Sequence, residues 1–254
     1  MKKKSAVLFS AETFYDEVSE FYGEMVDFEK NLSLRLNAYQ KIFATKGAVA
    51  DLGCGIGLDS IALAMNGHKV TAFDISPKMI EEVRQNALKF KVTIATSVHS
   101  FESVPKTYNG KFNYVVSVGN TIAHINSKQL QRAFKRIYDL LIPGGKIFLH
   151  ILNYELIRSQ QKRINNIAVR NGKVIIRFYD FLNNDLNFNI LSFPTNSTKD
   201  FKLVTTRHYP YTKSKIHSYL KAAFFKKITF MKNFVGEKFE INDSKDLFVG
   251  AVKN

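Results

Sequence analysis

The chain has a single cysteine, Cys54, which excludes an intramolecular disulfide and points to a reducing compartment. No apolar run approaches the roughly 18–20 residues that cross a bilayer, so no membrane partner is expected. Lys2, Lys3 and Lys4 give the start a superficial likeness to the basic region of a secretory signal. The apolar stretch at 6–9 is too short for that role, and Glu12 and Asp16 follow without a cleavage-like site. A cytoplasmic protein is the expectation. Histidines are scattered without metal-ligand spacing, so no metal is implied. Repeats and low-complexity linkers are also missing.

Acidic residues are scarce: 22 against 37 basic ones, a net charge of +15. The excess is uneven. Residues 1–150 carry 19 basic and 14 acidic groups (+5), and residues 151–254 carry 18 and 8 (+10). A nucleic-acid partner is therefore a competing reading. It is not favoured, because no basic run exists beyond Lys2–Lys4. The absence of tryptophan beside abundant Lys, Asn, Ile and Phe also fits a coding bias toward such residues.

What is present is ordinary for a folded chain: 254 residues, 45% hydrophobic and 23% charged. Phe14, Val18, Phe21 and Met25, then Leu32, Leu36, Tyr39 and Phe43, recur at helical spacing and predict two helices within 11–46. From there the pattern alternates. Strands are expected at 48–52, 69–73, 92–95, 112–118 and 146–152, with helices at 56–66, from Ser76-Pro77 onward, and at 127–141. This alternation predicts a parallel, doubly wound sheet. Four strand-like stretches at 165–170, 173–182, 186–193 and 201–209, with a turn at Asn171-Gly172, predict an antiparallel insertion. A helix at 213–225 and strands at 227–234 and 246–252 then rejoin the main sheet. The expected parts are a helical lid (1–46), a cofactor core (47–153), an insertion on the substrate side (154–212) and a C-terminal return (213–254).

The informative loop is Asp51-Leu52-Gly53-Cys54-Gly55-Ile56-Gly57. Glycines between strand and helix let a ligand approach the backbone, and the helix start offers free N–H groups. A dinucleotide site wants G-x-G-x-x-G, whereas here the spacing is G-x-G-x-G. Asp74, ending the second strand, is placed to accept from ribose hydroxyls in either case.

Residues 49–64, 70–79 (Val70-Thr71-Ala72-Phe73-Asp74-Ile75-Ser76-Pro77-Lys78-Met79) and 142–148 (Ile142-Pro143-Gly144-Gly145) resemble, in order and spacing, the motifs of class I methyltransferases that use S-adenosylmethionine (SAM). The resemblance implies a Rossmann-like, seven-stranded, mostly parallel sheet with SAM as cofactor. It implies that Asp51, Gly53, Cys54, Gly55 and Gly57 shape the methionine end, with Cys54 a small loop residue and no nucleophile. Asp74 would hold the ribose, and Met79, Ser97 and His99 would flank the adenine, with Ile75, Val98 and Val118 beside them. The acidic residue that many relatives place near Ser97 is absent.

Val118–His124 (Val-Gly-Asn-Thr-Ile-Ala-His) carries no Pro-Pro pair of the kind that grips an exocyclic base amine, and no second cysteine exists for pyrimidine C5 chemistry. The segment instead resembles glycine/sarcosine N-methyltransferases and their small-molecule relatives, as does Asn153-Tyr154-Glu155. That resemblance implies a lid contributing Tyr15, Tyr22 and Arg35, with Arg35 on the SAM carboxylate. Asn120, His124 and Tyr22 are expected to position the reaction, and Asn120, His124 and Tyr154 to meet the acceptor. Glycine methylases place an arginine where this chain has Leu152, so Arg177 or Arg207 is the candidate for an acceptor carboxylate. The expected reaction is in-line methyl transfer to nitrogen or oxygen of a small molecule. An RNA-modifying enzyme and a non-catalytic SAM-binding protein are the rivals.

Overall fold

The computed structural model describes residues 7–254, so the basic start at Lys2–Lys4 lies outside the described part. Two helices open the chain, α1 (Ala11–Val26) and α2 (Phe28–Ile42). Ser10 caps α1 by accepting from the Thr13 N–H, and Asp27, left-handed at φ 48°, turns the chain into α2.

The main sheet has seven strands in the order β11-β12-β6-β5-β2-β3-β4. They are β2 (Ala48–Leu52), β3 (Lys69–Asp74), β4 (Ile94–Val98), β5 (Phe112–Ser117), β6 (Leu141–Leu152), β11 (Lys226–Met231) and β12 (Asp246–Val252). All neighbouring pairs from β4 to β6 are parallel, and β12 runs antiparallel to both β6 and β11. This is the seven-stranded, mostly parallel sheet that the sequence resemblance implies.

Helices cover both faces, as a parallel sheet requires. On one side α5 (Ser127–Leu140) and α7 (Lys213–Ala222) pack Leu130, Phe134, Ile137, Ile216 and Leu220 against the strands. On the other, α2 and α3 (Leu58–Met65) contribute Leu32, Tyr39, Ile61 and Leu63. Burying one such side chain fully is worth roughly 1.5–3 kcal/mol. As the Ser-Pro signal implied, the Ser76 hydroxyl accepts from the Met79 N–H and Pro77 opens α4 (Pro77–Lys89).

A second sheet has five strands in the order β1-β10-β9-β8-β7. The insertion supplies β7 (Ile164–Arg170), β8 (Lys173–Phe181), β9 (Leu186–Pro194) and β10 (Lys202–His208). Its fifth strand is β1 (Leu8–Phe9), which adds in parallel to β10 through Leu8↔Thr205 and Phe9↔Thr206. Helix α1 then lies between the sheets. Its Phe14, Val18 and Phe21 cluster with Ile56 and Met79 of the core and with Ile175, Ile190 and Val204 of the insertion.

Besides β1, which no sequence signal predicts, three elements depart most from the sequence expectation. The strand expected at 92–95 is Ile94–Val98, because Lys91 takes a left-handed φ of 54° and delays pairing with β3. Strand β6 starts at Leu141 rather than 146, carrying Gly144 at φ 74° within it. A short helix, α6 (Tyr154–Ser159), follows β6 because Asn153 caps it, accepting from the Leu156 N–H.

Candidate active site

Two adjoining cavities lie at the C-terminal ends of β2, β3 and β5, where open α/β sheets bind ligands. The first, of about 350 Å³, is floored by Gly53, Cys54 and Gly55 and walled by Asp59, Asp74, Ile75, Val118 and Arg35. The second, of about 300 Å³, lies between α1 and the five-stranded sheet, and His124, Asn120, Tyr179, Phe188 and His208 line it. Tyr15, Tyr22, His124 and Arg177 border both.

Backbone geometry builds the first cavity. Gly53 (φ 70°), Gly55 (φ 53°) and Gly57 (φ 86°) are all left-handed, a conformation costly for other residues. At Gly53 space is decisive as well, since a Cβ would stand 2.1 Å from Thr121 Cγ2. The Asp74 carboxylate holds the loop: its Oδ2 accepts from the Gly55 N–H at 2.9 Å and its Oδ1 from the Ser76 N–H at 3.0 Å. Burial raises the Asp74 pKa. Asp51 lies beneath the loop rather than in the wall, and the Ser60 hydroxyl donates to it at 2.6 Å. Burial, with Asp59 nearby, pushes its carboxyl well above the usual range. Arg35 pairs with Asp59 (2.8 Å) and stacks over the Phe234 ring (4.1 Å), so its guanidinium is held at the cavity wall.

Side chains build the second cavity. A chain of hydrogen bonds starts where Asn120 Oδ1 accepts from the Leu152 N–H (3.1 Å), which orients its amide. Asn120 Nδ2 therefore donates to the Tyr154 hydroxyl at 2.7 Å. Tyr154 in turn donates to His208 Nδ1 at 2.9 Å, which leaves the His208 proton on Nε2. That Nε2–H faces His124 Nε2 at 3.2 Å, and the Tyr15 hydroxyl meets the same nitrogen at 2.9 Å. Burial lowers the His124 pKa to about 4, and His208 lies well below its ordinary value through burial and the neighbouring His124. Both imidazoles are neutral at pH 7. Burial also raises the Tyr15 hydroxyl and pushes Tyr22 up to about 12.

The structure thus gathers Gly53, Cys54, Gly55, Asp74, Ile75, Val118, Arg35, Tyr15, Tyr22, Asn120, His124 and Arg177 around the two cavities. Gly57 caps α3 behind the loop. Tyr154 is fully buried and acts on the cavity through Asn120 and His208. Met79 lies outside both linings, buried against α1, because Ser76 starts α4 and turns it inward. Ser97 and Val98 also lie outside them, and the next residues, His99, Ser100 and Phe101, form that wall. Arg207 lies outside both linings too: it pairs with Asp185 at 3.0 Å, while its neighbour His208 takes the cavity face. His208, Tyr179 and Phe188 are among the lining residues the sequence reading missed, as are Asp59, His150 and Asn165. Among the described residues no cluster of His, Cys, Asp and Glu is built to hold a metal ion. Nor is any helix among them long and apolar enough to cross a membrane.

The first cavity fits a nucleoside with a cationic tail: a glycine cradle at a helix start, a ribose-ready carboxylate and acidic walls. The fold is the class I methyltransferase architecture. Residues 49–145 match the methyltransferase domain family. Residues of this chain are also 36% identical, over 106 positions, to a ubiquinone biosynthesis O-methyltransferase of Xanthomonas oryzae pv. oryzae, covering 41% of this chain and 43% of that protein. The chain thus spans less than half the length of that curated relative. Among solved structures, the CcbJ methyltransferase from Streptomyces caelestis superposes with a TM-score of 0.81 at 17% identity, covering 96% of this chain and 98% of that one. A SAM-bound amino pentose methyltransferase from Micromonospora echinaspora superposes at 0.67, 11% identical, covering 98% and 99%. Residues 49–145 thus carry the likeness to a methyltransferase domain, and the solved structures share the fold over nearly the whole chain.

Proposed function

We propose that the protein transfers the methyl group of SAM to a small molecule seated in the second cavity. The observation that carries this reading is the shared wall: Tyr15, Tyr22, His124 and Arg177 border both cavities, so a donor in one lies against an acceptor in the other. SAM supplies a methyl group on a sulfonium, already activated. The protein's task is then alignment, which can be worth about 7–11 kcal/mol.

In this reading Asp74 receives the ribose hydroxyls and Gly53–Gly57 accommodate the methionine end. The free edge of the Arg35 guanidinium takes the SAM carboxylate. Of the lid expected at 1–46, residues 1–6 lie outside the described part; 7–46 form the lid and 154–212 the acceptor side, with 47–153 and 213–254 completing the core. The resemblance to glycine/sarcosine N-methyltransferases supports a small polar acceptor under the N-terminal helices, with Arg177 in place of the arginine missing at Leu152. His124, Tyr22 and Asn120 position the acceptor, and Tyr154 acts through Asn120 and His208.

The test is calorimetric SAM binding by wild type and Asp74→Ala, then a methyl-transfer screen over phenols, amines, amino acids and RNA. We expect binding weakened about 100-fold in the variant, the loss of a charged hydrogen-bonding group at about 1.4 kcal/mol per tenfold. Product should form only on small molecules. A folded wild type that binds no SAM defeats the proposal. Binding without turnover of any acceptor leaves a non-catalytic SAM-binding protein, and salt-sensitive turnover of RNA alone replaces the acceptor class.

A further inference from the structure

The second cavity carries a charge pattern that narrows the acceptor. Strand β8 places Ile175, Arg177 and Tyr179 on one face by its period of two, and Arg177 lies opposite Ile190 of β9 while Tyr179 lies opposite Phe188. Arg177 is half-buried in this apolar row, and no carboxylate among the described residues pairs with it. A cation held there is costly unless something anionic joins it. None of the described lining residues of this cavity is acidic. Of the neighbouring carboxylates, Asp246 is held by the lining residue His150 at 2.9 Å, Asp74 by backbone N–H groups and Asp59 by Arg35.

The rest of the wall is aromatic. Phe188 stacks on His208 with centroids 4.6 Å apart and planes 18° from parallel, and Phe14 and Tyr179 flank the pair at 5.9 and 5.6 Å from Phe188. Such walls receive a flat ring. An ammonium-bearing acceptor would meet the uncompensated charge of Arg177 and two neutral imidazoles. A carboxylate would meet a guanidinium fork suited to bidentate pairing.

Resting on the reading of the chain as a methyltransferase, we propose that the acceptor is a planar aromatic hydroxy acid. Its carboxylate sits on Arg177 and its hydroxyl oxygen receives the methyl group. The acceptor oxygen bonds to the methyl carbon as the carbon–sulfur bond breaks and its electron pair stays on sulfur. The hydroxyl proton enters the Tyr15–His124 pair, Tyr15 receiving it while giving its own to His124 Nε2. The positive charge lost at sulfur thereby reappears on the imidazole, inside the same site.

The experiment uses 3,4-dihydroxybenzoate, 3-aminobenzoate and dopamine as probes, each tested for binding to the complex with S-adenosylhomocysteine and for turnover with SAM. The hydroxy acid should bind and be methylated on oxygen, and dopamine should be inert. Arg177→Leu should weaken the acid about 30-fold, with part recovered in Arg177→Lys and SAM affinity unchanged within about twofold. Preference for dopamine, or N-methylation of the aminobenzoate ahead of the phenol, overturns the proposal. So does a complex that binds none of the acids. If Arg177→Leu weakens SAM and spares the acid, Arg177 serves the donor's carboxylate and the proposal falls. Loss at the earlier step, no binding of S-adenosylhomocysteine itself, defeats the methyltransferase reading instead.

Discussion

Strands β2 and β5 of the larger sheet are covered on both faces, and Val49, Ala50, Val115 and Val116 are fully buried. In the smaller sheet, Ile175 and Tyr179 of β8 are buried, whereas Ile164, Ile167 and Val169 of the edge strand β7 are more than half exposed. In the proposed function the two sheets also meet their ligands differently. The larger one offers backbone: three left-handed glycines and N–H groups tied to Asp74. The smaller one offers side chains, Arg177, Tyr179, Phe188 and His208, on an open scaffold. A backbone cradle tolerates little change, because its shape is its function. A side-chain wall can be rewritten residue by residue while the strands persist, which suits one donor and a choice of acceptors.

The sharpest way to break this contrast is Gly53→Ala. The new Cβ would be 2.1 Å from Thr121 Cγ2 on a residue at φ 70°. Strain and overpacking together should cost about 2–5 kcal/mol and remove measurable SAM binding. The matched control is Gly144→Ala, at φ 74° with nothing within 4 Å of its Cβ. It should lose about 1–2 kcal/mol from backbone strain alone and keep SAM binding. Equal SAM affinity in Gly53→Ala and wild type, by calorimetry beside thermal melts, would mean that the loop is not a rigid cradle.

A middle-sized effect separates the two regions by pH. The buried carboxylates Asp51 and Asp74 have raised pKa values, so the folded state holds protons the unfolded one has lost, and their contribution declines as pH rises above the ordinary carboxylate value. For His124, lowered to about 4, the sign is opposite. Between about 6.5 and 4 the unfolded chain takes a proton that the folded one refuses, so stability falls as pH falls through that window. Above pH 7 the histidine contributes no slope. His124→Gln should flatten the loss between pH 7.5 and 4.5 by about 1–3 kcal/mol, read as the difference in urea midpoints at the two pH values. An acid loss equal in variant and wild type would remove His124 from the account.

The same contrast explains what the sequence revealed. A glycine loop, a capping serine before proline and apolar strands announce themselves locally, so the left-handed glycine loop and the succession of β2 to β6 were legible from residues 48–152. The acceptor wall depends on which face of a strand turns inward, and that is decided by packing between distant elements. In β10, Val204, Thr205, Thr206 and His208 are all buried, residues of both faces alike, so no period-two signal marked His208 as inward. The Leu8–Phe9 strand was illegible for another reason: two residues carry no periodicity, and only their pairing with Thr205 and Thr206 defines them. Met79 followed its helix, turned inward by the Ser76 cap.

The smallest effect is the one that tests the wall most finely. Arg177 and Arg207 were equal candidates for an acceptor carboxylate, being arginines on neighbouring strands of one insertion. Register separates them. Arg177 shares the face of Ile175 and Tyr179 and borders both cavities, whereas Arg207 precedes His208 and so points to the opposite side of β10. There it meets Asp185 at 3.0 Å, with about a third of its side chain exposed. Ion pairs of that kind are worth about 0–1 kcal/mol. Arg207→Ala should therefore shift the melting midpoint by no more than a few degrees and leave KM for the acceptor and SAM affinity within about twofold of wild type. A rise in acceptor KM comparable to that of Arg177→Leu would mean that β10 turns its other face to the ligand, and the assignment of the acceptor wall to the row of Ile175, Arg177 and Tyr179 would fail with it.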